Sequence, residues 1–192
     1  MSEDYKRTNS FDEPTKAFAR RFSLMGFFFG RFLYRKLLKN LNLTGQESIL
    51  DFGSGVGTLA KIILRKIQPK GHYTCLDVSE VLTDEAKRKL RRFENVDFIV
   101  SDVRNSNLKA NTYDLIVSSW VIHHVPEDVR LESMKYLHKI LKPEGRALIQ
   151  EFSGDSHGMP EEKIMKLFDD AGFTGKKLAH KRMGAVFEFV KK

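Results

Sequence analysis

An aspartate stands ahead of three glycines spaced by single residues, in Asp51-Phe52-Gly53-Ser54-Gly55-Val56-Gly57-Thr58. Ile49, Leu50 and Phe52 form an apolar run, and Leu59, Ala60, Ile62, Ile63 and Leu64 continue it on helical spacing. The stretch therefore reads as a buried strand, a glycine turn and the start of a helix. Glycine accepts positive φ and lets a ligand approach the backbone closely. A helix start offers unpaired N–H groups and a positive dipole end to a polar or anionic ligand. A dinucleotide fingerprint would carry its third small residue where this chain has Thr58, and a pyrophosphate would be repelled by Asp51. An acid at that place suits a cation, such as the ammonium of an amino-acid ligand. The plain alternative is an ordinary strand, turn and helix with no ligand.

Further candidates follow in the chain. Asp77, next to Val78, ends the strand-like run His72–Leu76 and lies 20 residues past Gly57. An acid there is placed to accept hydrogen bonds from both hydroxyls of a ribose. Its other reading is the N-cap of the charged helix Glu80–Arg92, a task Ser79 can also perform. Asp102 follows a third strand, Val96–Val100, and by itself reads as a turn former. A fourth run, Tyr113 to Trp120, is almost continuously apolar, as suits a central parallel strand buried on both faces. It ends in Ser118-Ser119-Trp120 and leads into Val121-Ile122-His123-His124-Val125-Pro126. Ligands of open α/β sheets gather beyond the carboxyl ends of strands, so Ser118, Ser119, Trp120, His123 and His124 are placed to line the site. Histidine suits a general base. Adjacent residues on one turn cannot both face a pocket, so one of the pair is expected to hold the corner between strand and helix. Two adjacent histidines without a nearby third ligand do not have metal-binding spacing, and no metal is expected.

The elements that must position these residues alternate. After Pro69-Lys70-Gly71, a turn, come the second and third strands with the charged helix between them. A helix spans Glu127 to Leu141, with Pro126 at its start. Lys142-Pro143-Glu144-Gly145 reads as a turn before a fifth strand, Arg146–Phe152. Glu151 at its end has two readings, a polar substrate contact or a solvated charge. A Gly- and Ser-containing loop, Ser153–Pro160, precedes a helix over Glu161–Ala171 capped by Gly172. Phe173–His180 and Ala185–Val190 read as a closing antiparallel pair joined near Met183-Gly184. The alternation predicts an α/β fold with a doubly wound sheet.

The chain of 192 residues is long enough for one sizeable core, and its net charge of +8 allows an anionic partner. Cys75 is its single cysteine, so no internal disulfide forms. Neither a secretory signal nor an apolar run of about 18 residues is present in it, and an intracellular location is the default expectation. Residues 1–13 are polar and expected to be mobile. From Pro14 to Gln46 there is no acidic residue, while Lys16, Arg20, Arg21, Arg31, Arg35, Lys36 and Lys39 are interleaved with phenylalanines. Phe18, Phe22, Met25, Phe29 and Phe32 follow helical spacing, predicting one or two amphipathic helices, with Gly26 and Gly30 as breaks. Residues 1–44 are thus an N-terminal helical extension. It reads as a lid packed on the main domain with a solvated basic face, as a surface for anionic membrane or a lipophilic substrate, or as a nucleic-acid grip.

The Asp-x-Gly-x-Gly-x-Gly motif, with Asp77, Asp102 and the His-His strand end, resembles the class I S-adenosylmethionine-dependent methyltransferases. The His pair resembles the subgroup that includes ubiquinone/menaquinone-biosynthesis, phospholipid and sterol enzymes. The resemblance covers about residues 45 to 192. It implies a seven-stranded, mostly parallel, Rossmann-like sheet and S-adenosylmethionine as cofactor. It places the methionine end near Asp51, Gly53, Ser54, Gly55 and Gly57, the ribose at Asp77 and Val78, the adenine at Asp102 and Val103, and Ser118 at the pocket. His123 and His124 are the candidate catalytic residues. Where the family usually carries a second glycine this chain has Glu144, and where many relatives insert a substrate-binding segment it has only the 153–160 loop. The Asn/Asp-Pro-Pro-Tyr/Phe signature of many amino-group methyltransferases is replaced by Ser118-Ser119-Trp120. The expected function is methyl transfer to a small lipophilic or amphiphilic acceptor by a cytoplasmic protein that touches an anionic membrane peripherally. The alternatives are a methyltransferase of RNA or protein and a non-catalytic cofactor-binding scaffold.

Overall fold

The computed structural model describes residues 13–67, 70–153, 158–181 and 184–192. Most of the polar N-terminal stretch, Pro69 of the expected turn, the centre of the 153–160 loop and Met183 lie outside the described residues.

Seven strands form one sheet: β1 (Ser48–Phe52), β2 (His72–Asp77), β3 (Val96–Val100), β4 (Tyr113–Ser119), β5 (Leu141–Glu151), β6 (Phe173–Lys181) and β7 (Gly184–Lys191). Their order is β3-β2-β1-β4-β5-β7-β6, with β7 antiparallel to both its neighbours and the other pairings parallel. This is the expected doubly wound, mostly parallel sheet. The chain builds β1 to β3 in one direction, then returns across β1 to lay down β4 and β5. The reversal leaves a crevice beyond the carboxyl ends of β1 and β4, where open α/β sheets take their ligands.

Strand parity explains the two cores. Ile49, Leu115, Val117, Leu148, Tyr73 and Cys75 point to one face and pack against α2 (Arg35–Lys39) and α3 (Thr58–Ile67). Leu50, Phe52, Ile116, Ala147 and Ile149 point to the other, against α5 (Glu127–Ile140) and α6 (Glu161–Asp170). Helices cover both faces, so the central strands need apolar residues at every position. α4 (Glu80–Leu90) flanks β2 and β3 and inserts Leu90 into the first core. Leu37 and Leu41, inside the N-terminal extension, belong to that core too. Arg146 of β5 fixes the extension further, donating to the carbonyls of Asn40 and Leu41.

Two expectations change. The Lys142–Gly145 turn does not precede β5 but interrupts it: the ladder jumps from Tyr113–Leu141 to Leu115–Arg146, leaving four residues opposite Asp114. Gly26 and Gly30 do not break the N-terminal helix either, because α1 runs unbroken from Lys16 to Leu33. Both glycines serve helix packing. A Cβ at Gly26 would fall on the Thr58 hydroxyl, and one at Gly30 would lie 2.8 Å from Thr58 Cγ2. Ala19, Ser23, Gly26 and Gly30 thus make a narrow small-residue face on which α1 meets α3 and α4. The aromatic stripe lies outside that face: Phe18, Phe22, Met25, Phe29 and Phe32 are exposed.

Candidate active site

The glycine turn leaves β1 with its amides already committed. Gly53 and Ser54 donate to the Leu76 carbonyl at 2.8 and 3.1 Å, pinning the turn to β2. Gly53, Gly55 and Gly57 all have positive φ, at 74°, 52° and 69°. Their surroundings differ. A Cβ at Gly53 would overlap Val121, and one at Gly57 would come within 3.0 Å of Ala86, whereas one at Gly55 would meet nothing within 4 Å. Two of the glycines therefore answer to packing, and Gly55 faces open space where a ligand can reach the backbone.

Asp77 spans the turn. Its Oδ2 accepts the Gly55 amide at 2.7 Å and its Oδ1 accepts the Ser79 amide at 3.0 Å. Burial raises its carboxyl above the ordinary range while these two amides pull it back. Each oxygen retains a second acceptor direction, so a ribose diol can still be met. Ser79 takes the capping role, accepting from the Leu82 amide, and its hydroxyl donates to Glu13. Glu13 also accepts the Val81 amide at 2.8 Å, so the segment before α1 closes over the start of α4.

Asp51 is buried, with Oδ2 accepting the Tyr73 hydroxyl at 2.8 Å. Burial lifts its carboxyl to about 7, the Tyr73 hydrogen bond opposes the rise, and nearby Asp77 adds to it. Charge near Asp51 also helps burial hold the Tyr34 hydroxyl above its usual value. Ser101 donates its amide to the Asp77 carbonyl, which brings Asp102 beside the same strand ends. Asp102 caps a single 3-10 turn, Val103–Asn105, and grips the Arg104 guanidinium with both oxygens, at 3.0 and 2.7 Å. Val103 is buried in the core, and Val78 is half-buried next to Asp77.

The β4 end lies across the crevice. Ser118 is buried and donates to the Phe52 carbonyl at 2.9 Å, tying β4 to the glycine turn. Trp120 adopts φ 59°, a left-handed conformation costing about 1–2 kcal/mol in a residue with a Cβ. The Trp120 amide donates to the Gln150 carbonyl at 2.8 Å, and its ring lies 5.4 Å from Tyr34 and 5.5 Å from Phe152. Among the described residues, Ser119 Oγ, Trp120 Nε1 and Gln150 Oε1 are buried without a protein partner. Such groups are costly in a finished core and mark a place where a ligand or water completes the set.

Glu151 was open to two readings, and solvation is not one the structure keeps, since the residue is fully buried. Its Oε2 accepts the Ile122 amide at 2.8 Å, and its Oε1 lies 2.6 Å from His123 Nδ1 and accepts the Phe152 amide at 2.9 Å. The carboxylate holds both the corner and the imidazole, leaving Nε2 of His123 for other partners. His124 lies against His123 with ring centroids 3.9 Å apart and the planes tilted by 42°, is more exposed, and has its basicity lowered by partial burial and by His123. Sequence reasoning missed this pairing, as it missed Tyr34 and Gln150. Strand parity was the available signal: in β5, Gln150 shares the face of Leu148 and meets α1 through the Leu33 carbonyl, while Glu151 shares that of Ile149.

A family profile described as "Methyltransferase domain" matches residues 49–145. Over 128 residues the chain is 30% identical to a protein of Rickettsia prowazekii named ubiquinone/menaquinone biosynthesis C-methyltransferase UbiE, covering 64% of this chain and 49% of that one. Over 131 residues it is 29% identical to malonyl-[acyl-carrier protein] O-methyltransferase 1 of Ilyobacter polytropus, covering 68% and 47%. The chain thus spans about half the length of the curated relatives it matches. A crystal structure of a putative S-adenosyl-L-methionine-dependent methyltransferase from Methanococcus maripaludis superposes with a TM-score of 0.76 at 18% identity, over 95% of this chain and 97% of that one.

Proposed function

We propose, from the premise that this chain belongs to the class I S-adenosylmethionine-dependent methyltransferases of the UbiE-like type, that it methylates a small lipophilic or amphiphilic acceptor. The observation that carries the acceptor class is the aromatic wall Tyr34–Trp120–Phe152, which runs onto His123 at the β4 and β5 ends. A flat apolar ring or chain packs well on such a wall, and a highly charged acceptor does not.

The residues fit the cofactor. Open space over Gly55 admits a ligand to the turn, and buried Asp51, which accepts the Tyr73 hydroxyl through Oδ2, suits an ammonium. Asp77, held by two amides, is the residue assigned to the ribose, with Val78 beside it, and Asp102 and Val103 are assigned to the adenine. Bound there, the cofactor supplies a sulfonium methyl, an electrophile taken by in-line displacement.

The chain's own contribution is binding, orientation and proton handling. Tyr34, Trp120 and Phe152 exclude water and align the acceptor, which lowers the barrier by positioning. Glu151 fixes the His123 ring through Nδ1, so Nε2 is the atom that takes a proton from an acceptor hydroxyl or ring carbon. His124 packs its tilted ring against the His123 imidazole. A peripheral position on the cytoplasmic side of a membrane goes with such an acceptor; among the described residues no helix is long and apolar enough to cross one.

Methyl transfer from radiolabelled S-adenosylmethionine in a cell extract, followed by phase separation, tests the reading. Label in the organic phase supports it. Label confined to precipitated RNA or protein overturns the acceptor class, and cofactor binding with no labelled fraction under any acceptor supply overturns the enzyme.

A further inference from the structure

Among the described residues, the exposed large apolar side chains other than Val100 and Val190 all lie on the outward side of α1. At about 100° per residue, Leu24, Phe32, Met25, Phe18, Phe29 and Phe22 occupy an arc of roughly 160°. Phe29 and Phe32 are 59% and 70% exposed, and Leu24 is 63% exposed. Arg21 sits inside the arc, and Lys16, Arg20 and Arg31 line one border of it. The remaining side is the Ala19-Ser23-Gly26-Gly30 face, already spent on Thr58 and α4. The helix is therefore held to the domain by its small residues and presents its large ones outward, the reverse of what a helix serving only the core would do.

We infer that α1 is an in-plane docking helix for an anionic lipid bilayer, and that it sets the active-site crevice against that surface. Charge decides the occupant. No acidic residue occurs between Pro14 and Gln46, so the arginines and lysines beside the apolar arc have no acidic neighbour on their own helix. An apolar face beside a cationic border matches acyl chains beside anionic headgroups. A second copy of this chain would bring the same cations against one another. Nucleic acid would use the cations but gain little from Leu24, Met25 and the exposed phenylalanines. Position agrees: α1 ends at Leu33, whose carbonyl accepts from Gln150, and the next residue, Tyr34, contacts Trp120. Phe29 and Phe32 lie within a turn of that junction, so a lipophilic acceptor leaving the bilayer meets the aromatic wall without crossing water. The inference deepens the acceptor reading by naming the surface from which it is drawn.

Vesicle co-sedimentation of the full chain tests it without any acceptor, so its failure leaves methyl transfer untouched. Phosphatidylglycerol-containing vesicles should bind the protein, phosphatidylcholine vesicles should bind it at least tenfold less, and raised salt should weaken the binding. Phe29→Ser with Phe32→Ser should cost about tenfold or more in partitioning, since two exposed rings lose their burial in lipid. Arg20→Glu with Arg31→Glu should abolish the preference for anionic vesicles. Unchanged thermal unfolding and S-adenosylhomocysteine affinity in both variants exclude misfolding as the cause. No binding to anionic vesicles by the wild type overturns the inference. So does a concentration-dependent dimer dispersed by the Phe variants, or RNA binding lost only in the Arg variant, with no lipid binding in either case.

Discussion

Glu151 Oε1 and His123 Nδ1 lie 2.6 Å apart, and the same buried carboxylate accepts the Ile122 amide through its other oxygen. One side chain therefore both builds the corner after β4 and aims the imidazole. Replacing His123 with Ala removes the proposed proton acceptor while sparing the corner. Methyl-transfer kcat should fall about 100-fold if the acceptor must lose a proton, at the low end of what a general base contributes, with S-adenosylhomocysteine affinity nearly unchanged. Glu151→Gln should lower kcat, because the imidazole loses the carboxylate that aims it. It should also lower stability by about 1–3 kcal/mol, because its amide group cannot accept from all the donors now around the carboxylate. Stopped turnovers and thermal unfolding check the two halves separately.

With the proposed cofactor ammonium beside Asp51, cofactor affinity should depend on pH. Burial has raised the Asp51 carboxyl to about 7, and an ammonium nearby favours the ionised form. Binding then expels a proton below that pH. S-adenosylhomocysteine affinity should be flat above about pH 7 and decline below it, approaching about tenfold per unit. The apo fold has the opposite slope: its extra stability is complete below the unfolded carboxyl's value of about 4 and is lost as pH rises through about 7. Calorimetric titrations at several pH values, with Asp51→Asn as the flat control, measure the first slope.

The glycines separate packing from binding. Gly53→Ala should destabilise the fold by more than the about 1–2 kcal/mol of left-handed strain, since Val121 stands where the methyl would go. Gly55→Ala bears only the strain, yet its methyl enters the open space over the turn. It should keep a near-normal melting profile and lose cofactor affinity. Equal losses of stability in the two variants would contradict this division.

Asp77→Ala should weaken S-adenosylhomocysteine binding by about 1–3 kcal/mol through lost ribose contacts. It should also loosen the turn, because the Gly55 and Ser79 amides lose their acceptor. Hydrogen exchange at Gly55, compared with wild type, detects the second effect. Asp77→Asn retains one carbonyl acceptor and should fall between the two.

The parts of the site legible in the sequence were those fixed by local geometry. Positive φ at Gly53, Gly55 and Gly57 and the strand ends carrying Asp77 and Asp102 follow from the spacing of turns and apolar runs. The α/β alternation gave the sheet, and the antiparallel closing pair was read correctly as β6 and β7. What escaped depended on contacts between distant residues. Glu151 and His123 are 28 positions apart, and the identity of Glu151's partner rests on which face of β5 it occupies. The orientation of α1 escaped because helical periodicity marks an apolar face without saying what covers it. Gly26-x-x-x-Gly30 was the sign of a close helix crossing, and it was read as a break instead. The Lys142–Gly145 excursion inside β5 looked like a turn because its Pro and Gly obey turn chemistry even within a strand's bounds.

The place of β7 between β5 and β6 has a consequence for biosynthesis. Among the described residues, β6 pairs with no strand except β7, and β5 has no other neighbour on that side. During synthesis from the N-terminus, the crevice and its residues up to Glu151 are complete before either edge can close. Until Gly184–Lys191 emerges, β5 presents an uncapped hydrogen-bonding edge, and Phe173 and Phe189 lack each other's cover. β7 is thus the strand that covers both the open β5 edge and the Phe173 ring.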